Sequence, residues 1–206
     1  MIICPDTSPR WLDLPGEHNS YDFGAGAGFY VNAITENYKN NYQMYEYINI
    51  HIYDILLNTF SIESHRISIM GHSMWWHGAL TIGLKNPDKY ASISAFSPIV
   101  NPIESPWGQK AFLWYLGKDI DLWKDYDACE LIRKWYTHKN TILIDQWLSD
   151  EFLSEQLLTQ NFVSVCETHE QSLTVNMREW YDHSYYFIAS FLKNHIDFHM
   201  SHISSI

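Results

Sequence analysis

The chain has 206 residues, of which 46% are hydrophobic, 16% aromatic and only 18% charged, with a formal net charge of −11. These values fit a single packed domain over residues 1–206 and exclude a disordered or coiled-coil chain. The acidic balance, with no basic patch to offset it, disfavours nucleic acid and anionic membrane surfaces as partners.

In chain order, residues 1–5 read as the end of a strand, and residues 6–21 as a polar loop carrying Pro9, Pro15 and Gly16. The stretch Asp22-Phe23-Gly24-Ala25-Gly26-Ala27-Gly28-Phe29-Tyr30 lacks the spacing of a dinucleotide fingerprint, and no clear strand feeds it. It reads as a tight loop near a functional cleft. From Asn41 to Phe60, Tyr45, Ile48, Ile52, Ile55, Leu56 and Phe60 recur at helical steps. Arg66 to Met70 predicts a buried strand, followed by a sharp turn at Ser73 and a helix over His77–Lys85 that ends at Asn86-Pro87.

Ala91 to Phe96 is a second strand, closed by Ser97-Pro98. Asn101 to Tyr126, aromatic and broken by Pro102, Pro106, Gly108 and Gly117, reads as an irregular excursion with short helices, of the kind that caps an active site. Thr141–Asp145 is a third strand, leading through a loop ending at Ser149-Asp150 to a helix from Glu151. Leu173–Met177 is a fourth, and a final helix puts Phe187, Ile188, Phe191 and Leu192 on one face. Strands alternating with helices predict an α/β fold: a mostly parallel sheet flanked by helices, with function at the carboxyl ends of its strands.

Cys4, Cys129 and Cys166 are too widely spaced for a disulfide framework or a zinc pair, and point to a reducing, cytoplasmic setting. The eleven histidines are scattered, so neither metal nor cofactor is expected. The N-terminus lacks a basic segment ahead of an apolar core, and no apolar run reaches the ~18 residues that would span a bilayer, so neither export nor membrane insertion is expected.

The chemistry concentrates at Gly71-His72-Ser73-Met74-Trp75, close to a nucleophile elbow. In such a turn the serine hydroxyl is lifted clear of the sheet, and the next residue's N–H, here that of Met74, faces the developing oxyanion. The turn requires tiny residues two before and two after the serine; Gly71 meets that demand and Trp75 violates it. Asp150 and His183 follow later strands, giving the order Ser, Asp, His of an α/β-hydrolase triad. A serine hydroxyl is too weakly acidic to attack unaided; an imidazole must take its proton, and a carboxylate must hold the imidazole tautomer. Each residue also has a plain structural reading: Ser73 and Asp150 as helix caps, His183 as a core histidine. Asp145 is a rival carboxylate at the strand end itself.

Several stretches closely resemble S-formylglutathione hydrolases, also called esterase D: Cys4-Pro-Asp-Thr-Ser-Pro-Arg10, Gly26-Ala-Gly-Phe-Tyr30, Gly71-His-Ser-Met74 with His77-Gly-Ala-Leu80, Pro106-Trp-Gly-Gln-Lys-Ala-Phe112 and Tyr181-Asp-His-Ser-Tyr-Tyr-Phe187. The resemblance implies an α/β-hydrolase fold and a cytosolic serine thioesterase that hydrolyses S-formylglutathione to formate and glutathione, in formaldehyde removal. It assigns Ser73 as nucleophile, His183 as base and Asp150 as acid, favours Asp150 over Asp145, and suggests a homodimer. A general carboxylesterase and an inactive hydrolase remnant are the alternatives. Measured against the family, the chain is expected to lack the leading strands and the loop supplying a second oxyanion donor, leaving the Met74 N–H as the only expected donor.

Tryptophan also stands where the resembled family has glycine, at Trp11, Trp75, Trp76, Trp114, Trp147 and Trp180, with Trp135 a further case. Trp107 and Trp123 match family tryptophans. An indole supplies neither positive φ nor close backbone approach, so the pattern predicts UGA codons that the source organism reads as glycine. The coding DNA decides it: UGA is expected at Trp75, Trp76 and Trp147, and UGG at Trp107.

Overall fold

The computed structural model of the chain describes residues 1–181 and 185–204, the side chains of residues 74–76 and 204 aside. Four strands, β1 (Ile69–His72), β2 (Ile93–Phe96), β3 (Ile142–Trp147) and β4 (Leu173–Arg178), pair in parallel in the order β1-β2-β3-β4. In this register Gly71 lies opposite Ala95, Ala95 opposite Ile144 and Asp145 opposite Asn176. β2 is buried throughout and β3 almost so, as expected of parallel strands covered by helices.

The helices are α1 (Met44–Glu46), α2 (Tyr53–Thr59), α3 (Met74–Lys85), α4 (Pro106–Leu116), α5 (Ile120–Trp123), α6 (Ala128–Arg133), α7 (Thr159–Thr168) and α8 (Tyr185–Ser204). α3 packs on β1, β2 and α6, whereas α8 packs on β2 and β3. Local chemistry sets several starts. Ser105 accepts the Gly108 N–H at 3.1 Å with Pro106 at the first position of α4, and Asp127 accepts the Glu130 N–H at 3.0 Å to open α6.

The sheet core joins Leu80, Leu84, Ile93, Phe96, Ile144, Phe162 and Phe187. A second core is largely aromatic: Phe23 and Phe29 of the glycine-rich loop meet Tyr38, Tyr42, Phe112 and Tyr115, with Tyr42 stacked on Tyr115 at 5.2 Å. The loop and the 101–126 excursion thus form one packed unit. Gly24 shows why the loop needs its glycines: at φ +61°, an added Cβ would lie 2.2 Å from the Glu17 carbonyl oxygen.

Several boundaries differ from the sequence expectation. Residues 1–5 join no strand among the described residues. β1 runs to His72, and α3 begins at once with Met74 rather than at His77. The helix expected over 41–60 contains a π-helical turn, Tyr47–Ile52, between α1 and α2. After Asp150 a π-helical turn, Leu153–Leu157, replaces a regular helix, and Leu158 at φ +56° separates it from α7, because a left-handed residue cannot continue the helix.

Trp11, Trp135 and Trp180 have φ of +58°, +64° and +68°, the left-handed region where a bulky side chain is strained. Their side chains gain little packing in return, being 100%, 68% and 93% exposed. The Trp147 indole nitrogen, by contrast, is buried with no hydrogen-bond partner among the described residues. Replacing Trp11, Trp135 and Trp180 together with glycine is therefore expected to raise stability by about 1 kcal/mol per site: relief of roughly 1–3 kcal/mol of backbone strain, less the entropy of an added glycine. Urea unfolding checks it; an unchanged or lowered midpoint would show that the indoles compensate for their backbone.

Candidate active site

β1 ends at His72, α3 begins at Met74, and Ser73 forms the whole turn between them with φ +58° and ψ −124°. A non-glycine residue holds such a conformation only where its surroundings over-determine it, at a cost of roughly 1–3 kcal/mol. Here the Ser73 N–H donates to the Phe96 carbonyl at 3.2 Å, tying the turn to the end of β2. Behind it Gly78 lets α3 approach, since a Cβ there would lie 2.4 Å from the Tyr30 ring. Although Ser73 occupies the N-cap position of α3, its side chain makes no capping hydrogen bond. As the first residue of the twelve-residue α3, Met74 contributes its N–H to a helix N-terminus, where backbone donors and the helix dipole favour negative charge.

Asp150 lies beyond the carboxyl end of β3 and is buried. Its Oδ1 accepts the Phe152 N–H at 3.0 Å in a tight turn; no regular helix begins at Glu151, so Asp150 is not a helix cap. Its Oδ2 is 3.4 Å from Gln146 Nε2, which also reaches Ser97 Oγ at 3.4 Å, while Gln146 Oε1 accepts the Thr159 hydroxyl at 2.8 Å. Gln146 thus orients Asp150 from the rigid end of β3. Its role is not evident from the sequence, where the available signal is a second polar residue beside Asp145 in a strand that is otherwise apolar.

Asp145, the rival carboxylate, is wholly enclosed. It accepts from Asn176 Nδ2 at 2.6 Å and from Arg178 Nε and Nη2 at 3.1 and 3.0 Å, a forked charge-assisted pair. His183 lies outside the described residues; in sequence it falls between the end of β4 at Arg178 and the start of α8 at Tyr185. The structure therefore puts Ser73 after β1 and Asp150 after β3 on the carboxyl edge of one parallel sheet, with the segment holding His183 following β4. The excursion closes over this edge: Trp107 packs on Phe152 at 4.7 Å, and its N–H donates to Gln156 Oε1 at 3.0 Å.

The profile of the esterase family matches residues 2–198. The S-formylglutathione hydrolase of Rattus norvegicus is 48% identical over 206 residues, covering 100% of this chain and 73% of the rat protein. This chain belongs to the S-formylglutathione hydrolase family of esterases. The Arabidopsis thaliana S-formylglutathione hydrolase is 50% identical over 199 residues, 96% of this chain and 70% of its own length. The solved structure of an S-formylglutathione hydrolase from Agrobacterium tumefaciens superposes with a TM-score of 0.93 at 42% identity, over 97% of this chain and 72% of that one. The fold is accordingly that of the α/β-hydrolases, and the family makes the chain a serine hydrolase. No helix among the described residues is long and apolar enough to cross a membrane.

Proposed function

We propose that this chain hydrolyses S-formylglutathione to formate and glutathione through Ser73, His183 and Asp150. The observation that carries the reading is the strained Ser73 turn between β1 and α3, in a chain 48% identical to a curated S-formylglutathione hydrolase. The Ser73 hydroxyl attacks the formyl carbonyl as His183 takes its proton, and the oxyanion forms against the Met74 N–H. Collapse of the tetrahedral intermediate breaks the carbon–sulfur bond; glutathione leaves as a thiol with the proton from His183, and formyl-Ser73 remains. Water, deprotonated by His183, then attacks the ester, releasing formate and restoring the serine. Asp150, held by Gln146 and the Phe152 N–H, keeps the imidazole in the accepting tautomer and stabilises its charged form.

A thiolate is a far better leaving group than an alkoxide, so thioesters demand less of the general acid than carboxylesters. Such a reaction would complete formaldehyde removal after a separate two-electron oxidation has turned the formaldehyde–glutathione hemithioacetal into the thioester, in a cytoplasm whose reducing state suits the free thiols of Cys4, Cys129 and Cys166. The test is thioester loss from S-formylglutathione set beside hydrolysis of a nitrophenyl ester. A higher kcat/KM for the thioester is expected. Preference for the nitrophenyl ester would support the general carboxylesterase instead, and absence of turnover with both substrates would support an inactive remnant.

A further inference from the structure

The mechanism leaves Asp145 unused, yet it is the best-connected buried carboxylate among the described residues. Its partners lie on both sides of the segment that carries His183. On the near side, Arg178 and Asn176 close β4 and bind it directly, and the Arg178 guanidinium also lies 4.1 Å from the centre of the Phe191 ring on α8. On the far side, α8 presents His195, whose Nε2 is 3.9 Å from Asp145 Oδ2 and whose ring stacks on Phe96 at 3.8 Å. His195 Nδ1 is 2.8 Å from Ser94 Oγ, which is 2.7 Å from His199 Nε2. His199 Nδ1 in turn is 2.7 Å from Ser92 Oγ, and that oxygen is 2.8 Å from Ser68 Oγ.

One assignment of protons satisfies every hydrogen bond from His195 Nδ1 to Ser68 with both imidazoles neutral, while Asp145, 3.9 Å from His195 Nε2, acts on it through charge rather than a hydrogen bond. The Asp145 carboxylate favours a proton on His195 Nε2, so His195 Nδ1 accepts from Ser94, Ser94 accepts from His199 Nε2, and His199 Nδ1 accepts from Ser92. The opposite direction would turn an imidazole lone pair toward a carboxylate. Asp145 thus sets the direction of a polar chain that fastens α8 to the serines of β2. Phe96, the ring beneath His195, is also the residue whose carbonyl holds the Ser73 N–H.

We infer that Asp145 is a positioning residue for the base: through Arg178 before the 179–184 connection, and through His195, Ser94 and His199 after it, its carboxylate anchors both ends of the segment carrying His183 and so sets that histidine's reach toward Ser73. This rests on the hydrolase reading above, and its test needs one readout that does not depend on turnover.

The experiment compares the full chain with Asp145→Asn, Arg178→Met, Arg178→Lys and Ser94→Ala, at neutral pH and well below melting. It measures kcat and KM for S-formylglutathione, and amide hydrogen exchange across residues 179–184. Asp145→Asn and Arg178→Met are expected to lower kcat by roughly 10- to 100-fold with KM within about twofold, as a displaced catalytic group does, with Arg178→Lys recovering part of the loss. Exchange in 179–184 should quicken in the same order. Folded variants that keep wild-type kcat and exchange would overturn the inference. Should the charge variants fail to fold, Ser94→Ala decides, since it cuts the chain without removing a charge: an unchanged kcat and exchange there would equally overturn it. Exchange that responds in a protein without Ser73-dependent turnover would sink the hydrolase reading while leaving the anchor in place.

Discussion

Replacing Ser73 with alanine is expected to lower kcat for S-formylglutathione by roughly 10⁴- to 10⁶-fold with little change in KM. The size of the loss follows from what the turn supplies. Without the hydroxyl no formyl-enzyme can form, and the reaction falls back on direct attack by water in a pocket shaped for a different nucleophile. The residual rate would come from substrate binding and from the Met74 N–H at the start of α3. Because Ser73 makes no capping hydrogen bond to α3, the alanine variant loses no helix cap, and the strained φ of +58° persists in it. Melting should therefore change little while turnover collapses. Turnover that survives the substitution would remove Ser73 as nucleophile. Stopped-flow detection of thioester loss, beside a melt of the same preparation, gives both quantities.

Acid should destabilise the protein through three buried histidines. Burial holds His77 down to about 4, between the rings of Phe29 and Phe112. Burial, reinforced by the neighbouring His199 and Arg178, holds His195 to about 3, and burial holds His199 to about 4, aided by His202. An unfolded chain protonates these histidines near the ordinary value of about 6.5, so it binds more protons than the folded chain as pH falls below that. The stabilisation from keeping them neutral is fully present above pH ~6.5 and is lost toward pH ~4, about 2 kcal/mol for each histidine at pH ~5.

Asp127 opposes this. Burial raises its carboxyl to about 6 despite the N–H groups of Ile103 and Glu130, so protonation favours the folded state there, by about 1 kcal/mol between pH ~7 and pH ~5. The three histidines outweigh it. The melting temperature is expected to fall by on the order of 10–20 °C between pH ~7 and pH ~5. A flat profile would mean that these imidazoles are solvated or already charged in the folded protein.

Much of this architecture is legible residue by residue. Short stretches rich in apolar residues that start at Ile69, Ile93, Ile142 and Leu173 are the four strands among the described residues, because the alternation of strand and helix patterns is local. The Ser73 turn is legible too, from a glycine two residues before and a helix immediately after. The boundaries missed at the elbow share one cause: α3 begins at Met74 and the strand near residue 69 extends to His72 because the elbow is a tertiary demand, which the weak periodicity of Gly71-His72-Ser73-Met74 does not express. The second aromatic core was equally hidden, since it joins residues as far apart as Phe23 and Tyr115, ring centres 4.8 Å apart, through a loop with no periodicity.

The order Ser73, Asp150, His183, the acidic and cysteine-poor character of the chain, and its family wording are properties of the sequence by itself, because each depends on residue identity and spacing alone. Which carboxylate stays available is a different kind of fact. Asp145 and Asp150 lie five positions apart at the end of one strand, and nothing local separates their chemistry. Only the pairing of β3 with β4 brings Arg178 and Asn176 onto Asp145, and only the turn beyond β3 brings Gln146 and the Phe152 N–H onto Asp150. A carboxylate's surroundings decide its chemistry, and for Asp145 they come from β4, 31 and 33 residues further on, whose register the parallel sheet sets, whereas for Asp150 they come from a turn that only the folded chain closes.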